Sequence, residues 1–88
     1  MNKAAGKRHM SRVAELPCCV CGSHEVQVHH LIGRNLRGMS QKSPDWLTIP
    51  LCFTHHSLLH SNGWRDWEMT HGSQIDYLAR TLEKLYDQ

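Results

Sequence analysis

The sequence predicts a small α+β domain whose core is a β-hairpin plus a helix, held by a structural zinc ion and flanked by helices. Length is the first reason, because 88 residues bury only a modest core and often need a metal for stability. Ligand spacing is the second, since a C-x-x-C pair (Cys18, Cys21) precedes a C-x-x-H pair (Cys52, His55).

The first half of the chain is predicted to contain one helix and one strand. Residues 1–6 are expected to be disordered. Residues 7–16 are expected to form a short helix, because Pro17 disfavours helix at the residue before it. Residues 25–31 alternate and are rich in valine, which is typical of a strand. A polar loop with glycines is expected over residues 33–44.

The second half is predicted to contain one strand and three helices. A strand over residues 46–51 leads into a helix over residues 53–61, which Asn62-Gly63 ends. A short helix is expected over residues 64–69. A C-terminal helix over about residues 74–86 follows a capping sequence. The apolar stripe of this last helix comprises Ile75, Leu78, Ala79, Leu82, Leu85 and Tyr86.

The chain has no internal repeat or break in composition, so residues 1–88 are expected to form one domain with its core at about residues 18–67. The first ten residues are basic and polar and lack the apolar region of a signal peptide. No apolar run approaches the roughly 20 residues that cross a bilayer. We therefore expect a cytoplasmic protein without membrane contact, whose cysteines are reduced and free to bind metal.

Charge is distributed unevenly along the chain. Residues 1–44 carry seven basic and two acidic side chains, a balance of +5, whereas residues 45–88 carry three basic and six acidic side chains, a balance of −3. A basic half can supply phosphate contacts to a nucleic acid. The same charges also suit an ordinary solvated surface, so charge alone leaves both interpretations open.

The two cysteine-containing pairs predict a closed tetrahedral zinc site. Cys18, Cys21, Cys52 and His55 give a Cys3His set, which is common in structural zinc sites. Cys19 is left over, because it cannot replace either neighbouring cysteine without rearranging the turn. The alternative is that these are reduced thiols, buried for their apolar character.

The histidines predict a second metal site beside the first. His56 and His60 are four residues apart, so a helix places them on one face, about 100° around the axis from His55. A regular strand turns His29 and His30 to opposite faces, so that one can complete the metal site while the other stays unliganded. Three protein ligands leave coordination positions open, which is typical of a catalytic metal.

This division of roles suits metal-assisted hydrolysis of a phosphodiester. A metal ion stabilises the phosphate and the leaving oxygen, while a neutral imidazole takes the proton of the attacking water. Histidine suits the second role because its ordinary pKa is about 6.5.

The order of these motifs resembles an HNH endonuclease of the ββα-metal superfamily with zinc knuckles. The features that carry the resemblance are C-x-x-C, then His29-His30, then C-x-x-H-H-x-x-x-H ending at His60. More narrowly, the chain resembles the small Ref-like nucleases of phages and prophages. That resemblance rests on Gly33, Gly38, Lys42-Ser43-Pro44-Asp45 and Ile49-Pro50-Leu51-Cys52. It covers about residues 18–67, and the three-histidine set also resembles that of the colicin DNases.

The resemblance implies a DNA endonuclease, encoded by a phage or prophage, with a role for each matching residue. The ligands of its catalytic divalent metal (Mg2+, Mn2+, Ni2+ or Zn2+) would be His29, His56 and His60. His30 would be the general base, and the Cys3His set would bind the structural zinc. The family's asparagine that orients the base has no match here, because Asn35 lies too early, and Asp45 is expected to replace it.

The basic residues of the loop between the predicted strands are candidates for DNA binding. Arg34, Arg37 and Lys42 are expected to contact phosphates, with a solvated loop as the alternative. The remaining histidines lack partners at useful spacing and are expected to be surface or satisfied side chains. They are His9, His24 and His71.

Two other functions compete with the nuclease. A non-catalytic zinc-finger DNA-binding module would explain the Cys3His set but leaves four histidines without a role, and it needs one metal ion instead of two. A structural or interaction protein could use Trp46, Trp64 and Trp67 as a partner surface, although tryptophans in so small a chain are more often in the core. The four histidines favour the nuclease.

Overall fold

The computed structural model describes residues 3–33 and 43–87. An N-terminal helix, α1 (Lys3–Val13), precedes a two-stranded sheet. Strand β1 (Val26–His30) pairs antiparallel with β2 (Thr48–Cys52). The expected hairpin is therefore present, although β2 begins two residues later than predicted.

Three helices follow the hairpin and complete a mixed α+β fold, as predicted. Helix α2 (Phe53–Asn62) starts directly after β2, and it is followed by α3 (Trp64–His71) and α4 (Gln74–Tyr86). Gly63 and Gly72 end α2 and α3 with φ angles of 89° and 109°, a region that favours glycine because it has no Cβ. Within the described residues, none of these helices has the length and apolar character needed to cross a membrane.

The core lies where the helices pack against the hairpin. The fully buried apolar side chains of this core include Leu31, Ile49, Leu51, Leu59 and Trp67. Every residue of β2 is buried, because α1, α2 and α4 all contact this strand, whereas β1 is only partly covered. Trp67 thus belongs to the core, as expected for a tryptophan in a small domain, and its indole N–H donates to the backbone carbonyl of His55 at 3.1 Å.

The N-terminal helix corrects one prediction. Residues 3–6 were expected to be disordered and the helix to span residues 7–16, but α1 begins at Lys3 and ends at Val13. Tertiary packing explains the earlier start. Gly6 is buried, and a Cβ at this position would lie 2.6 Å from Oδ2 of Asp45, so the helix approaches Asp45, three residues before β2, closely only because position 6 is glycine.

The C-terminal helix has the predicted bounds but buries a different face. Its buried residues are Gln74, Tyr77, Leu78 and Thr81, whereas Ile75 and Tyr86 of the predicted stripe are exposed. The Ser73 hydroxyl accepts the backbone N–H of Ile75 at 3.1 Å, which confirms the N-cap. The buried face is rotated because the helix places a polar side chain, Gln74, against the hairpin.

Candidate metal centres

The four predicted zinc ligands come together at one end of the hairpin. Cys18 and Cys21 lie in the turn after α1, Cys52 ends β2, and His55 lies in the first turn of α2. Their ligand atoms are all within 4.8 Å of one another. The sulfurs of Cys21 and Cys52 are 3.8 Å apart. Two Zn–S bonds of about 2.3 Å at the tetrahedral angle place the sulfurs about 3.8 Å apart. This Cys3His cluster could therefore hold a metal ion.

The turn that carries the first two cysteines is closed by the backbone of Cys18. Its N–H donates to the carbonyl of Ser23 and its carbonyl accepts the N–H of Gly22, both at 2.8 Å. Burial raises the pKa of the Cys18 thiol, but backbone N–H groups of Cys52 and of the turn outweigh burial, so the net shift is downward. The backbone N–H of Ser23 lowers the pKa of the Cys21 thiol, but desolvation and the thiols of Cys18 and Cys52 outweigh it, so the net shift is upward. Of this pair, Cys18 is therefore the more readily a thiolate, the form that binds metal.

Cys19 lies outside this cluster, as the sequence indicated. Its backbone N–H donates to the carbonyl of Pro50 at 3.0 Å, which anchors the turn to β2. Burial raises the pKa of the Cys19 thiol to about 12, so this side chain stays neutral at ordinary pH.

A second cluster is formed by His29 of β1 with His56 and His60 of α2. The ligand atoms of these three side chains again lie within 4.8 Å of one another. Ring centroids are 4.9 Å apart for His29 and His56, and also for His56 and His60. His55 and His56 therefore face different clusters, as the helical period requires.

Gln74 fixes the orientation of the His29 ring. Its amide NH2 donates to the backbone carbonyl of Ile32 and to Glu68, while its Oε1 accepts the Ile32 N–H at 3.2 Å. The N–H of Ile32 can only donate, and the carbonyl of Ile32 and the carboxylate of Glu68 can only accept, so only one orientation of the Gln74 amide satisfies all three. The contact of 2.9 Å between Oε1 and His29 Nε2 is thus a bond that His29 donates. Nδ1 of His29 keeps its lone pair for a metal.

The second ring is held in a similar way from the hairpin surface. Nδ1 of His56 donates to Oε1 of Gln27 at 2.6 Å, so Nε2 keeps the lone pair. Burial is the main cause that lowers the pKa of His29, to about 4, and burial also lowers the pKa of His56. Both rings are therefore neutral at pH 7, which is the protonation state that binds metal.

His30 stands apart from both clusters and contacts Asp45. Its Nε2–H donates to Oδ1 of Asp45 at 3.0 Å, which leaves the lone pair on Nδ1. The backbone carbonyl of Asp45 accepts the Thr48 hydroxyl at 2.9 Å. Both side chains of the pair are partly exposed, at 18% for His30 and 30% for Asp45, so water can reach the imidazole. A base oriented by a carboxylate has this geometry.

Sequence reasoning missed the residues that orient the two histidine ligands. Gln74 is separated from His29 by 45 residues, and the sequence marks it only as the first residue of the C-terminal helix. Glu68 supports Gln74 by accepting both its backbone N–H and its side-chain NH2. Gln27 precedes the histidine pair on β1, where alternation marks it only as an exposed strand residue. None of the three has a local pattern that signals its partner.

The remaining predicted residues have varied outcomes. Arg34, Arg37 and Lys42 lie outside the described residues. His24 is exposed, as expected. His9 is buried against Tyr86, whose hydroxyl lies 2.7 Å from Nδ1 and so satisfies one of the two ring nitrogens. His71 packs its ring against those of His55 and Trp67.

Comparison with known proteins places the chain in a family. The family model described as "Protein of unknown function (DUF968)" matches residues 1–87. The "Uncharacterized protein YdfU" of Escherichia coli (strain K12) is 37% identical over 68 residues, which is 77% of this chain and 19% of that protein. The chain thus spans less than a fifth of the length of this relative. Because the family model matches nearly every residue, the chain belongs to the DUF968 family.

Proposed function

We propose that the protein is a metal-dependent HNH endonuclease that hydrolyses phosphodiester bonds in DNA. The observation that carries the proposal is the pairing of His30 with Asp45 beside a separate three-histidine cluster. Two neighbouring residues on β1 thereby have different partners. His29 belongs to the three-histidine cluster, whereas His30 contacts the carboxylate of Asp45. A hydrolase that combines a metal ion with an unliganded general base needs this separation of roles.

The proposed mechanism assigns proton transfer to His30. Its Nδ1 accepts a proton from the attacking water, because Nε2 already donates to Asp45. The Asp45 carboxylate holds the ring in this tautomer and stabilises the imidazolium that forms. A divalent ion held by the three-histidine cluster would offset charge on the phosphate and stabilise the leaving oxygen. His29, His56 and His60 would hold that ion through neutral imidazole nitrogens.

We further propose that the Cys3His cluster holds a structural zinc ion. The 3.8 Å separation of the two sulfurs and the burial of Cys18 and Cys52 support a closed site. Such an ion would join the turn after α1 to the end of β2 and the start of α2. Because His55 and His56 are adjacent, fixing His55 also fixes the rotation of α2 that directs His56 and His60 toward His29.

The alternative is a zinc-binding module that binds DNA without cutting it. It accounts for the Cys3His cluster but not for the buried His29 or for the glutamines that orient two histidines. The two functions also differ in metal content, since the module needs one ion for each chain and the nuclease needs two. In both cases DNA is the proposed partner, and cytoplasmic location and phage origin stay predictions.

The deciding experiment combines metal counting with cleavage. Plasmid, single-stranded and branched DNA are incubated with the protein and Mg2+, Mn2+, Ni2+ or Zn2+, and bound metal is counted by mass spectrometry. We expect cleavage with at least one ion and two metal ions for each chain. A single bound ion and no cleavage of any substrate would overturn the nuclease in favour of the binding module.

A further inference from the structure

A groove of about 500 Å3 lies between α1, Trp46 and the end of α4 at Tyr86. The described residues that line it are Ala5, Arg8, His9, Arg12, Trp46 and Tyr86. The metal clusters and the His30–Asp45 pair use none of these six. The groove is therefore a separate feature of the surface.

The lining of this groove combines positive charge with aromatic rings. Arg8 and Arg12 are four residues apart on α1, so their exposed guanidinium groups lie on one face of the helix. The Arg12 guanidinium lies 5.3 Å from the centre of the Tyr86 ring. Trp46 is half-buried, and none of the six lining residues is acidic. Cations beside aromatic rings are the usual means of binding single-stranded nucleic acid, since the cations hold phosphate and the rings stack on bases.

One side chain in the wall of the groove has a buried polar atom without a partner among the described residues. His9 is only 1% exposed, and its Nδ1 lies 2.7 Å from the Tyr86 hydroxyl. Nε2 of the same ring is buried and has no hydrogen-bond partner among residues 3–33 and 43–87. Buried polar atoms without partners are rare in folded proteins. His9 is thus a polar side chain in the wall of the groove, with one ring nitrogen that the described residues leave unpaired.

The groove is close to the proposed site of cleavage. Trp46 directly follows Asp45, and consecutive Cα atoms are about 3.8 Å apart. Helix α1, which forms one side of the groove, also contacts Asp45 through Gly6. A DNA strand that passes His30 and its partner Asp45 can therefore continue to Trp46, which lines the groove.

We propose that this groove holds one unpaired nucleotide next to the scissile phosphate, with its base on Trp46 and Tyr86 and its phosphate on Arg8 and Arg12. The inference rests on the proposed function for the position of the cut strand. A base that stacks on a side chain has left its duplex neighbours, so the groove selects single-stranded or locally melted DNA. It is a specificity site, distinct from the residues that carry out hydrolysis.

The test measures binding without relying on cleavage. Fluorescence anisotropy follows a labelled oligothymidylate binding to the zinc-loaded protein without added divalent salt. Stacking of one base on an aromatic side chain corresponds to about 5- to 150-fold in affinity. Trp46→Leu should therefore weaken binding at least about 5-fold, whereas Trp46→Phe should restore most of it. Arg8→Ala should lower the salt slope by about 0.7, the value for one phosphate contact on a single strand.

Arg65 provides a matched control, because its guanidinium lies 5.1 Å from the ring centre of Trp64, outside the groove. Arg65→Ala should bind as the parent does. Parental affinity in both Arg8→Ala and Trp46→Leu would overturn the proposal. An equal loss of affinity in Arg65→Ala would also overturn it, because binding would then depend on positive charge anywhere on the surface. If Trp46→Leu does not fold, the exposed Arg8 decides alone. Binding that depends on the groove, without cleavage of any substrate, would refute the proposed nuclease activity but support the nucleotide site in the groove.

Discussion

Gln74 at the start of α4 accepts the Nε2–H of His29 on β1 at 2.9 Å, and both side chains are fully buried. The C-terminal helix therefore reaches directly into the three-histidine cluster. The side-chain amide of Gln74 also accepts the backbone N–H of Ile32 and donates to the carbonyl of the same residue. These bonds fix the orientation of the amide, and the amide in turn determines which ring nitrogen of His29 is available to a metal ion. The orientation of the first proposed ligand thus depends on the last helix of the fold.

Removal of the contact between Gln74 and His29 should lower the affinity for metal more than it lowers the free energy of unfolding. Partners of metal-binding histidines typically contribute 10- to 100-fold in metal affinity, and we expect a loss in this range for Gln74→Ala. Gln27→Ala is the matched control, because Gln27 holds His56 from an exposed position where water can replace it. Calorimetric titration with Ni2+ measures the metal affinity of both variants. Affinity within 2-fold of the parent in a folded Gln74→Ala protein would contradict the proposed role of this contact.

The Cys3His cluster should be necessary for folding. Metal-binding free energy at a structural site in a small domain is largely folding free energy. Cys18→Ser and Cys52→Ser should therefore lose zinc and the cooperative thermal transition. Cys19→Ser should keep the zinc ion, because Cys19 lies outside the cluster. Circular dichroism melts and zinc counting provide the measurements. A cooperative melt near the parental temperature in zinc-free Cys18→Ser would show that the site is not structural.

Gly6 should influence cleavage through Asp45, although it lies on a different element from the base. An added Cβ at Gly6 would be 2.6 Å from Oδ2 and 3.0 Å from Cβ of Asp45, so the carboxylate must shift away from its present position. Gly6→Ala should leave both bound metals in place and slow cleavage by up to about 100-fold, the cost of misplacing a reacting group by about 1 Å. Ala4→Gly in the same helical turn is the control, because Ala4 is exposed and does not line the groove. Cleavage by Gly6→Ala at the parental rate would show that α1 does not influence the orientation of His30.

The sequence alone predicted the parts of the fold that have local signals. The bounds of α4 follow from a cap and a helical period, and the two clusters follow from ligand spacing and from the 100° turn between His55 and His56. The prediction that Asp45 lies near His30 came from a family pattern, and the two side chains are in contact. The family pattern also named the metal ligands, but their function stays a proposal.

The features that sequence reasoning did not predict depend on contacts between distant elements. Gln74 binds a strand 45 residues away, and burying it rotates α4 so that Ile75 faces solvent. The start of α1 at Lys3 depends on how Gly6 packs against Asp45. His9 is buried by Trp46 and Tyr86, which lie far along the chain. Local periodicity contains no information about such pairs.

The central claim is that His30 is a base and does not bind metal. The most direct measurement pairs cleavage rate with metal content in His30→Ala, His56→Ala and the exposed control His24→Ala. His30→Ala should slow cleavage by about 10²- to 10⁴-fold and keep two metal ions. His56→Ala should lose both cleavage and the second ion, while His24→Ala should match the parent. Near-parental cleavage by His30→Ala would contradict the mechanism, and loss of the second ion in that variant would make His30 a metal ligand instead.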